Sequence, residues 1–412
     1  VSVVGSLPLR GSAVLRGGRI LDAQTLTPTE GLAIVVRDGV IERLIPDRAD
    51  HLPELPTIDL AGHFAMSGLI NMHTHFSLTL PGVAGERIAA LDPAGMALYM
   101  ADGARRTLLN GVTTTRSVAE KDFADFALRD AIDSGHVPGP RMFTGGKALC
   151  CTGGHGHDAS DTQECDGPVG FAHGVRSQIK HGADHIKIML TGGIAGEHEQ
   201  IGTAQMTREE TASAISTAHA WGRKVTAHAG PADAIRMAVE EGLDCVEHGY
   251  QLTPEVTDLM AQHGTALTPT LIVTRAKPFF DELGVPAWMQ ARSLGAADRH
   301  DESFRYALKS GVDILLGSDM PPFWPFEGTS ATVREIEHMH AAGMSAIEVL
   351  RASTTAPARW LGVEDSVGRI APGFSADIIA MEADPTESPS ALRDLSLVMK
   401  DGVVWRGAGA VA

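Results

Sequence analysis

Five short stretches of this chain carry side chains suited to holding metal ions: Asn71-Met-His73-Thr-His75, Ile186-Lys187-Ile-Met, Thr226-Ala-His228, Val246-Glu-His248 and Gly317-Ser-Asp319. Neutral imidazole and carboxylate are the common ligands of zinc and similar divalent cations. Taken singly, each histidine is better read as a hydrogen-bonded core residue, and Lys187 as an ion-pair partner of Asp319. The set changes that balance, because every member sits in or ends an apolar, strand-like run. Strand side chains alternate between two faces. His73 and His75 therefore share a face, and Lys187 opposes Ile186 and Ile188. His228 lies two residues from Thr226, His248 two from Val246 and Asp319 two from Gly317, so all can point to one rim. A buried ammonium among such ligands is strongly disfavoured. A neutral Lys187 amine can add carbon dioxide and become a carbamate, an anion able to bridge two metals.

The elements that must position these groups recur along the middle of the chain. Strand-like runs fall at Ala65–His73, Val112–Val118, Arg141–Gly145, His185–Leu190, Lys224–His228, Asp244–His248, Ala266–Thr270 and Asp313–Asp319. Helical patterns lie between them, at Ala89–Asn110, Phe123–Ser134, Phe171–His181, Arg208–Trp221, Ala232–Glu241, Pro254–His263 and Asp301–Ser310. Thr207 and Glu210 have the spacing of a capping box. The alternation predicts a (β/α)8 TIM-type barrel, with a doubly wound sheet as the second choice. In such barrels the chemistry sits at the C-terminal ends of the strands, where these groups fall. The stretch Val273–Ala297 reads as a long lid or substrate loop.

Both chain ends read as β-rich. Asp38-Gly39 between apolar residues is a hairpin signal, and Lys400-Asp-Gly-Val echoes Arg37-Asp-Gly-Val. The expected division is a small β-sandwich domain built from 1–64 and 367–412 around a barrel of 65–366.

Composition narrows the function. The 412 residues are 43% hydrophobic and 21% charged, with net charge −17. That supports a large packed core and argues against nucleic acid, which needs a cationic face. No apolar run reaches the length of a membrane span. Four cysteines without a CxxC suggest neither a disulfide framework nor a thiolate zinc site. The start lacks the pattern of a signal peptide. It also lacks Met, so the expectation is a cytoplasmic home, or the periplasm if this is a mature form. No GxSxG elbow, P-loop or HExxH motif is present, in keeping with a water nucleophile.

On these residues the chain resembles the amidohydrolase superfamily in its binuclear, carboxylated-lysine form. Gly68-Leu-Ile-Asn-Met-His-Thr-His, His185-Ile-Lys-Ile-Met with Thr191-Gly-Gly, Val246-Glu-His-Gly and Gly317-Ser-Asp look most like the imidazolonepropionase-related branch. That branch includes Xaa-Pro and Xaa-Arg dipeptidases and ochratoxinase-like amidases. Asn71 stands where many relatives have Asp. The resemblance implies that His73, His75 and Asp319 hold one metal, most often Zn2+. His228 and His248 would hold the other, with the carbamate of Lys187 bridging. It also implies a homo-oligomer, possibly an octamer.

A metal-bound hydroxide would attack the amide carbonyl, with Asp319 as general acid and base. His155, in Thr152-Gly-Gly-His155-Gly-His157, is the candidate donor to the tetrahedral oxyanion. Its pairing with His157 as a second metal pair is the weaker reading. Tyr250 and Arg275 are candidate partners of a substrate carboxylate. Ser77 is a candidate pocket residue, and Phe323, Trp324 and Phe326 a candidate aromatic wall. The expected substrate is an N-acyl amino acid or dipeptide with a free carboxylate, including aryl amides of the ochratoxin type. Cyclic amides, lactones and esters are the alternative on the same metals.

Overall fold

A computed structural model describes residues 10–21, 24–157 and 159–407; the outer ends of the expected β domain, 1–9 and 408–412, lie outside the described residues. The chain is a (β/α)8 barrel joined to sheets formed by both termini. Barrel strands span Leu69–Thr74, Val112–Ser117, Arg141–Thr144, His185–Met189, Lys224–Pro231, Cys245–Gln251 and Ala266–Thr268. Their ladders are parallel.

The parity of these strands follows from burial. Ile186, Ile188, Val225, Ala227, Val246, Ile314 and Leu316 pack in the layer between barrel and helices, with Ala214, Ile235 and Val256. Each buried Ile, Leu or Val contributes roughly 1.5–3 kcal/mol. Slipping a strand by one residue would forfeit that layer. The polar residues between them are thereby directed into the barrel.

The third strand is broken. Arg141–Thr144 pairs with the second strand, and Ala148–Cys150 resumes beside the fourth. The break falls at Gly146, with φ +70°. Its N–H donates to Asp125 Oδ2 at 2.9 Å, and the N–H of Lys147 donates to Gln178 Oε1 at 3.0 Å.

The expected eighth strand forms no continuous ladder, yet it closes the barrel. The N–H of Leu315 donates to the Leu267 carbonyl, that of Met72 to Leu316, and that of Ser318 to His73. Gly317 permits the approach, since a Cβ there would lie 2.2 Å from Thr268 Cγ2 and 2.7 Å from His73 Cβ.

Two expected elements differ. The run Ala65–His73 is two strands. Phe64–Ser67 pairs antiparallel with Ile378–Met381 in the terminal sheet, and the barrel strand begins at Leu69. Gly68 joins them where a Cβ would strike the Thr113 side chain at 2.3 Å. The stretch Val273–Ala297 is helical rather than a loop, with helices Lys277–Leu283 and Ala287–Gly295. Its prolines start helices, and Gly284 ends one in the left-handed conformation. Phe279, Phe280, Val285 and Met289 give these helices a buried face.

The terminal sheets enclose a second core containing Leu15, Ile34, Val36, Ile378 and Leu397. Ile379, Met381 and Val398 pack with the barrel layer instead, so this sheet is apolar on both faces. Arg141 of the barrel ties the sheet down, with ion pairs to Asp377 and Asp401 at 2.7 Å each. No helix among the described residues is long and apolar enough to cross a membrane.

Asp125 gives the fold a measurable pH dependence. Burial, with help from the charge of Glu120, pushes its carboxyl from 3.8 up to about 7. The folded chain thus holds a proton that the unfolded chain releases near pH 4. The stability tied to that proton is fully present at low pH and is lost as pH rises towards 7. Asp125→Asn is expected to flatten this decline, read as urea midpoints between about pH 4.5 and 8. An unaltered slope would show that other groups set it.

Candidate metal centre

At the mouth of the barrel three acceptor atoms face one another. His73 Nε2 lies 3.2 Å from His75 Nε2, and Asp319 Oδ1 lies 2.9 and 3.1 Å from the two nitrogens. The outer nitrogens are already engaged. His75 Nδ1 donates to the Ala119 carbonyl at 2.8 Å, and His73 Nδ1 meets Glu247 Oε2 at 2.6 Å. A carbonyl can only accept. Burial opposes ionisation of Glu247, but Arg116 and His73 hold its carboxyl well below the usual range, so it accepts as well. In the neutral rings both Nε2 atoms therefore present lone pairs to a carboxylate oxygen. The three ligand atoms lie within 4.8 Å of one another.

Such a cluster is repulsive until positive charge enters it. A proton answers part of that demand: burial lowers the pKa of His75, but Asp319 more than offsets it and the net shift is upward. A divalent cation would satisfy all three acceptors at once, and two imidazoles with one carboxylate are ligands that zinc accepts.

His228 and His248 stand beside this cluster with ring centroids 4.5 Å apart. The ring proton of His228 is on Nε2, which donates to the Gly192 carbonyl at 3.2 Å, leaving Nδ1 as the lone pair. His248 Nδ1 meets Thr270 Oγ1 at 2.7 Å and stands 3.9 Å from Asp319 Oδ2. Burial, above all, holds both imidazoles well below their usual range and hence neutral. Lys187 is buried between them and Glu247, and among the described residues nothing hydrogen-bonds its Nζ. Burial lowers its pKa against the pull of Glu247 and Asp319. Two imidazoles alone make a weak cation site, so a third, anionic donor is needed there.

These six residues form the base of a cavity of about 520 Å³. His155 stacks on His228 at 4.1 Å, and its Nδ1 meets Glu199 Oε1 at 2.6 Å. Burial opposes ionisation of Glu199, but the bond from His155 brings its pKa down to about 2. The Thr191-Gly-Gly turn makes room for that ring, since a Cβ on Gly193 would lie 2.3 Å from it. Tyr250 lies parallel to His248 at 5.1 Å and lines the cavity, its hydroxyl kept protonated by burial.

Other expected contacts are elsewhere. Ser77 lies outside the cavity lining; its hydroxyl donates to Glu120 Oε2 at 2.5 Å. Arg275 is also outside, held by Asp301 and by the Leu271 carbonyl. His157 bonds to the Gly154 carbonyl and, unlike His155, lies outside the cavity lining. Phe323 packs with Met96 and Met100, and Trp324 and Phe326 pack against Phe279. The apolar wall is instead Leu78, Leu80, Ile194, Val273, Phe280 and Met289.

Sequence reading missed Glu247, Arg116 and Glu199. Glu247 is fully buried and also accepts from Thr226 Oγ1 and from Arg116 at 2.5 Å. Arg116 lies 4.5 Å above the Trp360 ring. The signal for Glu247 was its place beside His248; Glu199, in a glycine-rich loop, carried none.

The profile of the amidohydrolase family matches residues 64–405. Ochratoxinase of Aspergillus niger is 27% identical over 417 residues, spanning 93% of this chain and 84% of its own. Its crystal structure superposes with a TM-score of 0.83 over 97% of this chain and 96% of its own, at 25% identity. A Xaa-Pro dipeptidase solved with methionine in its active site gives a TM-score of 0.86 at 29% identity, over 96% of this chain and 100% of its own. Imidazolonepropionase of Rubrobacter xylanophilus is 23% identical over 91% of this chain and 89% of its own.

Glu247 holds His73 by its Nδ1, away from the nitrogen that faces His75 and Asp319. Its replacement by Gln is expected to weaken divalent-metal binding about 10–100-fold, measured by chelator competition. Unchanged affinity in a folded Glu247→Gln protein would show that His73 needs no such partner.

Proposed function

The chain belongs to the amidohydrolase family, and from that premise we propose that it hydrolyses the amide bond of N-acyl amino acids or dipeptides bearing a free carboxylate. The observation that carries this reading is the cluster of His73, His75 and Asp319 acceptor atoms at the base of a half-apolar cavity. Relatives named ochratoxinase and Xaa-Pro dipeptidase support the reaction class. The wall of Phe280, Met289 and Val273 suits an aromatic or aliphatic side chain, including that of an ochratoxin-type aryl amide.

His73, His75 and Asp319 would hold one divalent cation, most readily Zn2+. His228 and His248 would hold a second, with Lys187 as a carbamate completing both sites. In that step the neutral Lys187 amine forms an N–C bond to carbon dioxide and releases a proton to water. Cations bound there supply Lewis-acid polarisation of the carbonyl and make a neighbouring water easier to ionise.

The chain's own groups then handle geometry and protons. His155, fixed by Glu199, hydrogen-bonds the oxygen of the scissile carbonyl as charge develops on it. Asp319 Oδ1 faces His73 and His75, while Oδ2 is 3.9 Å from His248 Nδ1 and available to the cavity. Through Oδ2 the carboxylate accepts a proton from the attacking water and passes it to the leaving nitrogen. The C–O bond forms, the C–N bond breaks, and an acid and an amine leave.

Purified protein is expected to carry about two divalent ions per chain and to cleave a panel of N-acyl amino acids. Asp319→Asn should lower kcat by roughly 10²–10⁴-fold. Near-normal turnover would remove its proton role, and an inert panel with fully metallated protein would remove the substrate class. Lys187→Ala is expected to lose one ion and most activity, with partial recovery in short carboxylic acids. Full metal content and rate in that variant would exclude the carbamate.

A further inference from the structure

The cavity wall carries a lysine that forms no ion pair among the described residues. Lys121 follows the second barrel strand, two residues beyond Ala119, whose carbonyl orients His75. Its own N–H donates to Ser77 Oγ at 3.0 Å, which fixes its backbone beside the metal centre. Lys121 is among the residues lining the cavity, and its charge acts on Asp161, another of them. Among the described residues no ion pair or hydrogen bond engages its ammonium.

Lys121 and Lys187 are the two lysines among the described lining residues, and no arginine joins them. Lys187 sits at the base among the candidate ligands. Arg275 is committed to Asp301. Tyr250, kept protonated by burial, can donate a hydrogen bond but brings no charge. Asp161 and Glu86 share the lining, but neither is ion-paired with Lys121. Burial pushes the Asp161 carboxyl upward against the pull of His75 and Lys121, so Lys121 feels this carboxyl without being ion-paired to it. In a chain of net charge −17 an anionic substrate needs a local positive group to settle.

We infer that Lys121 is the specificity-determining residue that receives the carboxylate of the leaving amino acid. This rests on the amide-hydrolase reading above and names the group that selects its substrates. An ammonium on a flexible stem meets a carboxylate as a point charge rather than in a fixed fork. It therefore selects for the carboxylate while tolerating different amino-acid side chains on the apolar wall.

The test compares N-acetylphenylalanine with its C-terminal carboxamide, reading release of acetate, for the metal-loaded wild type, Lys121→Gln and Lys121→Arg. Wild type is expected to prefer the free acid by about tenfold or more in kcat/KM. Lys121→Gln should abolish most of that preference, chiefly through a higher KM for the acid, and Lys121→Arg should keep most of it. Melting temperature and metal content confirm that the variants are folded and loaded. A Gln variant retaining the wild-type preference overturns the role of Lys121 and leaves the hydrolase reading standing. A wild type that cleaves both compounds equally overturns the carboxylate requirement, and this inference with it. A wild type that cleaves neither overturns the N-acyl amino acid substrate class proposed above, and this inference with it.

Discussion

Two imidazole lone pairs and a carboxylate oxygen pressed together at the barrel mouth are the constraint on which this structure turns. Like-polar atoms do not gather without a charge to bind or a framework to hold them. The framework here is the closure of the first strand against the eighth. Asn71 braces it, donating to Ser318 Oγ and Thr332 Oγ1 and accepting the N–H groups of His73 and Ser318 through its Oδ1. Gly317 supplies the clearance. Beneath, Glu247 fixes His73 and is itself held by Arg116, whose guanidinium lies over Trp360. A buried carboxylate is tolerable there because each oxygen has strong donors.

Above this rigid base the wall is built from loops and short helices. Glu199 holds His155, and Arg292 ties the same loop to the outer helices by donating to the carbonyls of Ile194 and Gly196. The helix Lys277–Leu283 brings Phe280 to the rim. Groups that must be placed closely thus sit on strands, while groups that shape the substrate sit on elements that can vary without disturbing the base. Apolar wall, polar base and the Lys121 side of the cavity give the site chemically distinct ends.

Much of the site was legible because strand ends and alternation are local properties. Lys187 faces inward because Ile186 and Ile188 face the helices, and His228 does so because Val225 and Ala227 do. His248 is the instructive exception. Val246 packs outward and Glu247 points into the barrel, so strict alternation would turn His248 away from the mouth. A left-handed residue, φ +69°, brings its ring back beside His228. Such a conformation costs a non-glycine residue roughly 1–3 kcal/mol and is kept where surrounding contacts impose it. Ser77 and Arg275 failed for the opposite reason: each lies near the site in sequence terms, but a buried carboxylate or an aspartate partner captured its polar group first.

From the residues alone came the barrel, the terminal sheets and the six groups at its mouth. Apart from His248, whose ring reaches the mouth only through its left-handed backbone, these follow from hydrophobic period and from the rarity of charged side chains in apolar strands. Tertiary structure decided which tautomers the histidines hold, because that depends on Ala119, Glu247 and Gly192, residues remote in sequence from the rings they orient. It also decided which charged side chains remain available to a substrate. Sequence reading singled out Arg275 and passed over Lys121; packing shows that the first is ion-paired to Asp301, while the second lines the cavity with no ion pair among the described residues. Partner choice among charges is a matter of distance in space, and no local pattern records it.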